Sequence, residues 1–366
     1  MKPYENKLVL VTGGTGFVGG RLVERLVLEE KARVRVLVRN WTRAVWVSRV
    51  DAELVEGDLT DLPSVREAAK GVDYVFHCSS SGNSPESYRR TNVDGTRNLL
   101  DALASQSLSR LVFLSSIAVH GPNPADGMNE QSPMAPGANA YSQSKIEAEL
   151  LLLQRWRDQK TPITILRPTF IWGPRSHLFT IRQLKEMRHG TFAHVDEGRG
   201  SCHAIYVDNL VDSMLLAGLK PEAVGEAFLV TDGLDITWGD FFGYYQQWLK
   251  LDKQPSINSR SQVVRNGARL ADWLDECLVR FSGNPAPFWR RAVRRSLRIV
   301  RDQLRACHYP RLWDLEKFAR RGHVNIGKAR RLLGYAPRYD LAAGMAETER
   351  WVRDQMEEVF GSIKNH

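Results

Sequence analysis

Residues 7–19, KLVLVTGGTGFVG, carry the reading that decides the fold. The first six cluster β-branched and aliphatic residues as a buried strand does, and glycines at 13, 16 and 19 straddle the passage into a helix predicted over 16–29. Each glycine answers a physical need: a turn whose φ other side chains disfavour, close approach of backbone N–H groups to a pyrophosphate, and close packing of helix on strand. The helix N-terminus then faces the anion with its partial positive charge. A glycine triplet alone also describes an ordinary tight turn. The strand before it, the helix after it and a second strand on schedule point to dinucleotide binding.

Working outward, the strand-then-helix rhythm continues. Strands are predicted at 33–38 (RVRVLV), 74–78, 111–115 and 163–167, with helices at 61–70, 91–106 and 141–158 between them. Such alternation requires right-handed crossovers and a parallel sheet covered on both faces. The expected fold is α/β, a doubly wound parallel Rossmann sheet with a smaller, interleaved C-terminal substrate lobe. Residues 1–174 form the dinucleotide domain, with 203–235 returning to it. Residues 175–202 and 236–366 make up the lobe, which contains a basic helical segment over 252–331.

Composition supports a globular chain and excludes other classes. The 366 residues are 43% hydrophobic and 25% charged, neither disordered nor fibrous. No run approaches the roughly 18 apolar residues of a spanning helix, and the N-terminus shows no cleavage site, so the cytoplasm is the expected compartment. Cys78, Cys202, Cys277 and Cys307 lack metal or redox spacing and read as free thiols. No metal site is expected. The net charge of +9 is concentrated: residues 252–331 hold 19 Lys/Arg and 7 Asp/Glu.

Two further features carry chemistry. The second strand ends at Val38-Arg39-Asn40, where an NAD-binding protein offers a carboxylate to the ribose. Arg39 would instead accept a 2′-phosphate and stack on adenine, which favours NADP and leaves NAD open, unless it is a solvated strand end. Asp58 is either a cap on the adenine side or a turn residue. Tyr141 and Lys145 lie four apart at the start of a predicted helix and project from one face. A phenol near pKa 10 needs a neighbouring ammonium to serve as a base, and Ser116 offers a hydroxyl to the same substrate oxygen.

With these residues in place the chain resembles the extended short-chain dehydrogenase/reductase superfamily, over roughly residues 7–235. The resemblance rests on TGGTGFVG (12–19), VFHCSS (75–80), TNVDGTRNLLDA (91–102), FLSSIAVHG (113–121), NEQSP (129–133), YSQSK (141–145), LRPTFIWGP (166–174) and AIYVDNLVDSML (204–215), and recurs in KARRLLGYAP (328–337). It implies Tyr141 as acid/base, Ser116 as its partner at the substrate oxygen and Lys145 as a ribose ligand. It also implies cofactor contacts from Gly13, Thr15, Gly16, Phe17, Val18, Gly19, Leu59, Ser79, Asn92 and Pro168. Asn92 as a helix cap and Pro168 as a strand end are the structural alternatives. His77 and His203 read as core residues.

Departures from the family narrow the chemistry. Sugar dehydratases carry Asp-Glu after the hydroxyl residue, where this chain has Ile117-Ala118. Phe170 stands where nucleotide-sugar members usually have Asn, and His120 and Trp172 stand where Tyr is common. The pattern is similar to the branch of 3β-hydroxysteroid dehydrogenases, sterol-4-carboxylate dehydrogenases and dihydroflavonol reductases. Candidate pocket residues are Ser80, His120, Phe170, Trp172 and Phe179, with bulk aromatic packing as the alternative for the rings. The expected function is hydride transfer between NAD(P) and a secondary alcohol or ketone on a lipophilic molecule. A nucleotide-sugar epimerase with tightly bound NAD, and a non-catalytic dinucleotide sensor, are the competing readings.

In the basic segment, residues 289, 293, 297, 300 and 304 form one apolar stripe flanked by Arg. An interfacial helix over 288–304 on an anionic membrane and a helix packed on the lobe both fit. No nucleic-acid module accompanies the charge, so no nucleic-acid partner is expected; a homodimer is compatible with the sequence.

Overall fold

The computed structural model describes residues 2–80, 84–122, 126–137, 139–280, 288–306 and 311–355. The chain begins β1 (Leu8–Thr12), α1 (Phe17–Leu28), β2 (Arg33–Val38), β3 (Ala52–Glu56), α2 (Leu62–Ala68) and β4 (Tyr74–His77). It continues α3 (Pro85–Tyr88), α4 (Gly95–Leu103), β5 (Arg110–Leu114), α5 (Ala140–Gln159) and β6 (Ile163–Pro168). Then follow α6 (Arg182–Arg188), α7 (Val207–Leu219), β7 (Ala227–Val230), α8 (Trp238–Leu249), α9 (Gln262–Arg280), α10 (Phe288–Ala306), α11 (Leu312–Ala319) and α12 (Leu341–Asp354). The final helix is predicted from 341 to about 360, and its last residues lie outside those described, as does Cys307.

The main sheet has seven strands in the order β7-β6-β5-β4-β1-β2-β3, every pair parallel. The order reverses at β1 and β4, the crevice where doubly wound folds bind ligands. Side-chain alternation fills both faces. Val9, Val11, Val34 and Val36 point toward Leu22, Val23 and Leu26 of α1 and Leu210 and Met214 of α7. Leu8, Leu10, Val75, Leu111 and Ile165 point toward Leu99 and Leu103 of α4 and Leu152 of α5. Strands covered on both faces need near-continuous apolar sequence, and β1 and β5 are buried at every position.

The chain divides into two compact units. The first comprises residues 1–171, 204–233 and 324–340; the second, 172–203, 234–323 and 341–366. Residues 324–340, assigned from sequence to the substrate lobe, belong instead to the sheet unit. Ile326, Ala329, Leu333 and Tyr335 enter its core, and Asn325 N–H donates to the Met128 carbonyl at 2.8 Å. The second unit is built on aromatic packing: Trp238 lies 4.7 Å edge-on to Phe318 and 5.7 Å from Phe241, and Phe242 sits 5.0 Å from Phe192.

Candidate active site

The turn after β1 is shaped for backbone, with no room for side chains. Gly13 has φ +72°, and a Cβ there would lie 2.7 Å from the Ser79 amide nitrogen. A Cβ on Gly19 would reach within 2.3 Å of the Gly13 carbonyl oxygen, so alanine there forces α1 away from the turn. Gly16 is the exposed N-cap of α1, where no side chain accepts from the free N–H groups and no acidic residue occupies the first turn. An uncapped, acid-free helix N-terminus over a glycine cradle fits a pyrophosphate. Thr15 and Phe17 are half-buried at this turn, while Val18 is buried in the core.

At the end of β2, Arg39 is exposed and its Nη1 lies 3.7 Å from Asp58 Oδ2. The other Asp58 oxygen accepts from the Thr60 amide at 2.9 Å and its hydroxyl at 3.0 Å. Asp58 is therefore both the turn residue and a tether for Arg39. The Leu59 side chain, next in sequence, is buried with Leu37, Val65 and Leu99.

The reactive trio comes together around α5. Asn139 caps the helix, its Oδ1 accepting from the Ser142 amide at 2.8 Å, which sets Tyr141 in the first turn. Ser116 acts to lower the pKa of the Tyr141 phenol, but burial, the larger influence, holds it above its ordinary value. Tyr88 packs edge-on against Tyr141 with centroids 5.7 Å apart. The sequence predicts that Lys145 lowers the phenol's pKa, but the ammonium is directed elsewhere. Its Nζ donates to the Leu114 carbonyl at 2.8 Å and lies 4.8 Å from the centre of the Phe113 ring. Burial lowers the Lys145 pKa to about 8, opposed by Cys78 and Glu149.

Asn92 sits in a π-helical turn over Arg89–Asp94, a distortion that recurs at functional sites. Its Nδ2 donates to Ser144 Oγ at 2.9 Å, and Ser144 donates to the Tyr141 carbonyl at 2.8 Å. Asn92 Oδ1 is buried without a protein partner. Pro168 closes β6 against Val230, and Ser79 stands half-buried beside the Gly13 turn.

Behind the trio lies a network that sequence reasoning missed. Glu149, one turn after Lys145, is fully buried and accepts from the Ser115 hydroxyl and from Arg167 Nη2 at 2.6 Å. Arg167 Nη1 continues to His120 Nε2 at 3.3 Å and the Glu130 carbonyl at 3.2 Å. Because Arg167 only donates, His120 accepts at Nε2 and gives its Nδ1 proton to the Pro133 carbonyl, 3.1 Å away. His120 is thus a buried structural imidazole with its pKa lowered, first by burial, and not a rim residue. A carboxylate on the buried side of a helix was the clue available in sequence.

The remaining candidates separate. Ser80 is exposed and Phe170 half-buried, both in the first unit. Trp172 and Phe179 belong to the second unit: Trp172 is fully buried edge-on against Phe241 at 5.2 Å, and Phe179 stacks 6.2 Å from Trp238. Trp172 is therefore aromatic core, the alternative weighed for it. His77 is also core, with Thr12 Oγ1 at 2.6 Å, Thr96 Oγ1 at 3.0 Å and a pKa lowered by burial to about 3. His203 is buried, with its pKa lowered to about 4. Among the described residues no cluster of His, Cys, Asp and Glu could hold a metal, and no helix is long and apolar enough to cross a membrane.

Comparison with known proteins agrees with this fold. The profile of the NAD dependent epimerase/dehydratase family matches residues 9–230. A 4-hydroxy-2-methyl-3-oxo-4-farnesyl-3,4-dihydroquinoline-1-oxide ketoreductase of Stigmatella aurantiaca is 30% identical over 92% of this chain and 93% of its own length. A 3 beta-hydroxysteroid dehydrogenase/Delta 5-->4-isomerase of Mycobacterium tuberculosis is 31% identical over 64% of the chain and 67% of its own. A UDP-glucose 4-epimerase of Vibrio cholerae is 29% identical over 63% and 72%. Among solved structures, an epimerase of Methanothermobacter thermautotrophicus superposes with a TM-score of 0.73 at 21% identity, covering 97% of this chain and 95% of that one.

Proposed function

The chain belongs to the NAD-dependent epimerase/dehydratase family and is an enzyme of the dehydrogenase, reductase and epimerase kind; from that premise we propose that it is a ketoreductase acting on a lipophilic secondary alcohol or ketone, with NADP(H) preferred. The observation that carries the reading is the buried Tyr141 phenol paired with Ser116, its pKa raised by burial so that it stays protonated. A group poised to give a proton suits carbonyl reduction. The nicotinamide, when bound, supplies hydride to the carbonyl carbon or removes it from the carbinol.

Tyr141 then donates its proton to the carbonyl oxygen, and the Ser116 hydroxyl donates a hydrogen bond to the same oxygen, stabilising charge as it develops. In oxidation the phenol must first lose its proton. The Lys145 ammonium, held on the Leu114 carbonyl, offers its remaining hydrogen bonds toward the ribose. Gly13, Gly16 and the α1 N-terminus hold the pyrophosphate, and Arg39 takes the 2′-phosphate that distinguishes NADP. Ile117 and Ala118 leave no second acid/base pair beside Ser116, which favours simple redox chemistry over dehydration. The relatives whose printed names specify a farnesylated quinoline oxide and a steroid support an apolar substrate scaffold.

The test is absorbance at 340 nm with NADPH and NADH against a panel of prenylated cyclic ketones, 3-oxosteroids and 3-oxoalkanoates. Consumption of NADPH with one of these, reduced about a hundredfold or more in Tyr141→Phe, is the expected result. Interconversion of UDP-glucose and UDP-galactose with no net absorbance change would replace the proposal with the epimerase reading.

A further inference from the structure

The second unit carries an unusual surface on α9 and α10, which pack against each other. Of the eleven large apolar residues exposed among the described residues, six lie on these two helices: Val263, Leu270 and Trp273 on α9, and Val293, Ile299 and Val300 on α10. Trp273 is 55% exposed and Ile299 51%. Isolated exposed aliphatics are ordinary, but such a concentration marks an interaction surface. The stripe of α10 is only partly covered by its neighbours, since Leu297 and Leu304 are half-buried while Val293 and Val300 are open.

Charge identifies the partner. The sequence of α10 contains seven Arg against a single Asp. One of them, Arg301, serves the fold itself, reaching Asp275 of α9 at 3.1 Å and so holding the two helices together. Arg295 and Arg298 are exposed and make no such bridge among the described contacts. A second copy of this chain would bring the same Arg run against itself, because a two-fold interface is self-complementary. A nucleic acid would satisfy the guanidinium groups and leave Trp273, Ile299 and Val300 in water. An anionic bilayer takes both: apolar side chains enter the acyl boundary while guanidinium groups remain at the phosphates.

We propose that α10, with Trp273 and Leu270 of α9, docks the protein on the surface of membranes containing anionic lipid. The helices lie on the bilayer without spanning it, and the attraction is screened by salt within a Debye length. This docking does not depend on the ketoreductase reading.

The experiment is flotation of the full chain with vesicles of phosphatidylcholine alone or with 30 mol% phosphatidylglycerol. We expect binding only to the anionic vesicles, falling steeply between 50 and 500 mM salt. Arg295→Gln with Arg298→Gln should weaken binding roughly tenfold to thirtyfold, at about 1 kcal/mol for each Arg near the surface. Trp273→Ser with Val300→Ser should weaken it at every salt concentration. All four side chains are exposed, and circular dichroism of the variants checks that folding is retained. No binding to anionic vesicles, or equal binding to both compositions, overturns the proposal. So does concentration-dependent self-association, or retention on a DNA or RNA duplex, that the same substitutions abolish while vesicle binding persists.

Discussion

Glu149→Gln should cost this protein several kcal/mol of stability, although Gln has nearly the same shape and the residue is remote from solvent. In the wild-type chain the carboxylate meets Arg167 Nη2 at 2.6 Å and Nε at 3.1 Å, with both side chains essentially buried. Neutralising one partner leaves the guanidinium in a low dielectric with only neutral acceptors, His120 and the Glu130 carbonyl, and breaking such a pair typically costs about 3–5 kcal/mol. Against a total of roughly 5–15 kcal/mol for a folded protein, that is a large share. Urea unfolding followed by tryptophan fluorescence measures it directly. Adding Arg167→Met to Glu149→Gln removes the stranded charge and should restore at least about 2 kcal/mol, because the uncompensated buried charge is the main part of the penalty. A single variant that loses less than about 1 kcal/mol, or a double variant no more stable than the single, would refute the account. Loss of Glu149 also removes one of the influences holding the Lys145 pKa up, so that ammonium should deprotonate below its present value of about 8.

Two other expectations follow from the site. Arg39→Asp should shift cofactor preference from NADPH toward NADH, since a carboxylate repels the 2′-phosphate and accepts from a free ribose hydroxyl; unchanged kcat/KM ratios for the two cofactors would show that Arg39 only faces solvent. Acid should destabilise the fold through His77, whose pKa is about 3 in the folded chain against an ordinary 6.5. Between those values the unfolded chain binds the extra proton, so stability is intact above about 6.5 and declines as pH falls toward 3. Urea midpoints at pH 7, 5.5 and 4 should decrease in that order, less steeply in His77→Gln, and a flat series would contradict the burial of a neutral imidazole.

The parts of this architecture legible in the sequence are those written in local periodicity. The β1 turn, the helix bearing Tyr141 and Lys145, and the apolar stripe of α10 are each set within about twenty residues, so pattern and spacing suffice. Contacts between separate elements are a different matter, however close in sequence. Glu149 and Arg167 meet across a helix and a strand, and His120 is drawn inward by Arg167, so a position that reads as pocket rim becomes buried support. Trp172 reads as a substrate contact because a ring carries no mark of which unit it joins. Spacing puts Lys145 beside the phenol, but its ammonium donates instead to the Leu114 carbonyl, brought alongside by β5. Residues 324–340 return to the sheet unit through partners such as Glu226 and Asn209, a hundred residues or more earlier, beyond the reach of any periodicity.

The alternation of the two units along the chain has a consequence for synthesis. A nascent chain that has emerged only to residue 171 holds six strands of the sheet, with β6 at its edge and its unpaired backbone groups exposed. The strand that covers that edge, β7, emerges only after residue 230, and the buried Ile326 and Leu333 come about a hundred residues later still. An open edge on a β-branched strand is a template for pairing with other chains. The ribosome-bound protein therefore passes through a long interval in which the β6 edge is open to pairing with other chains.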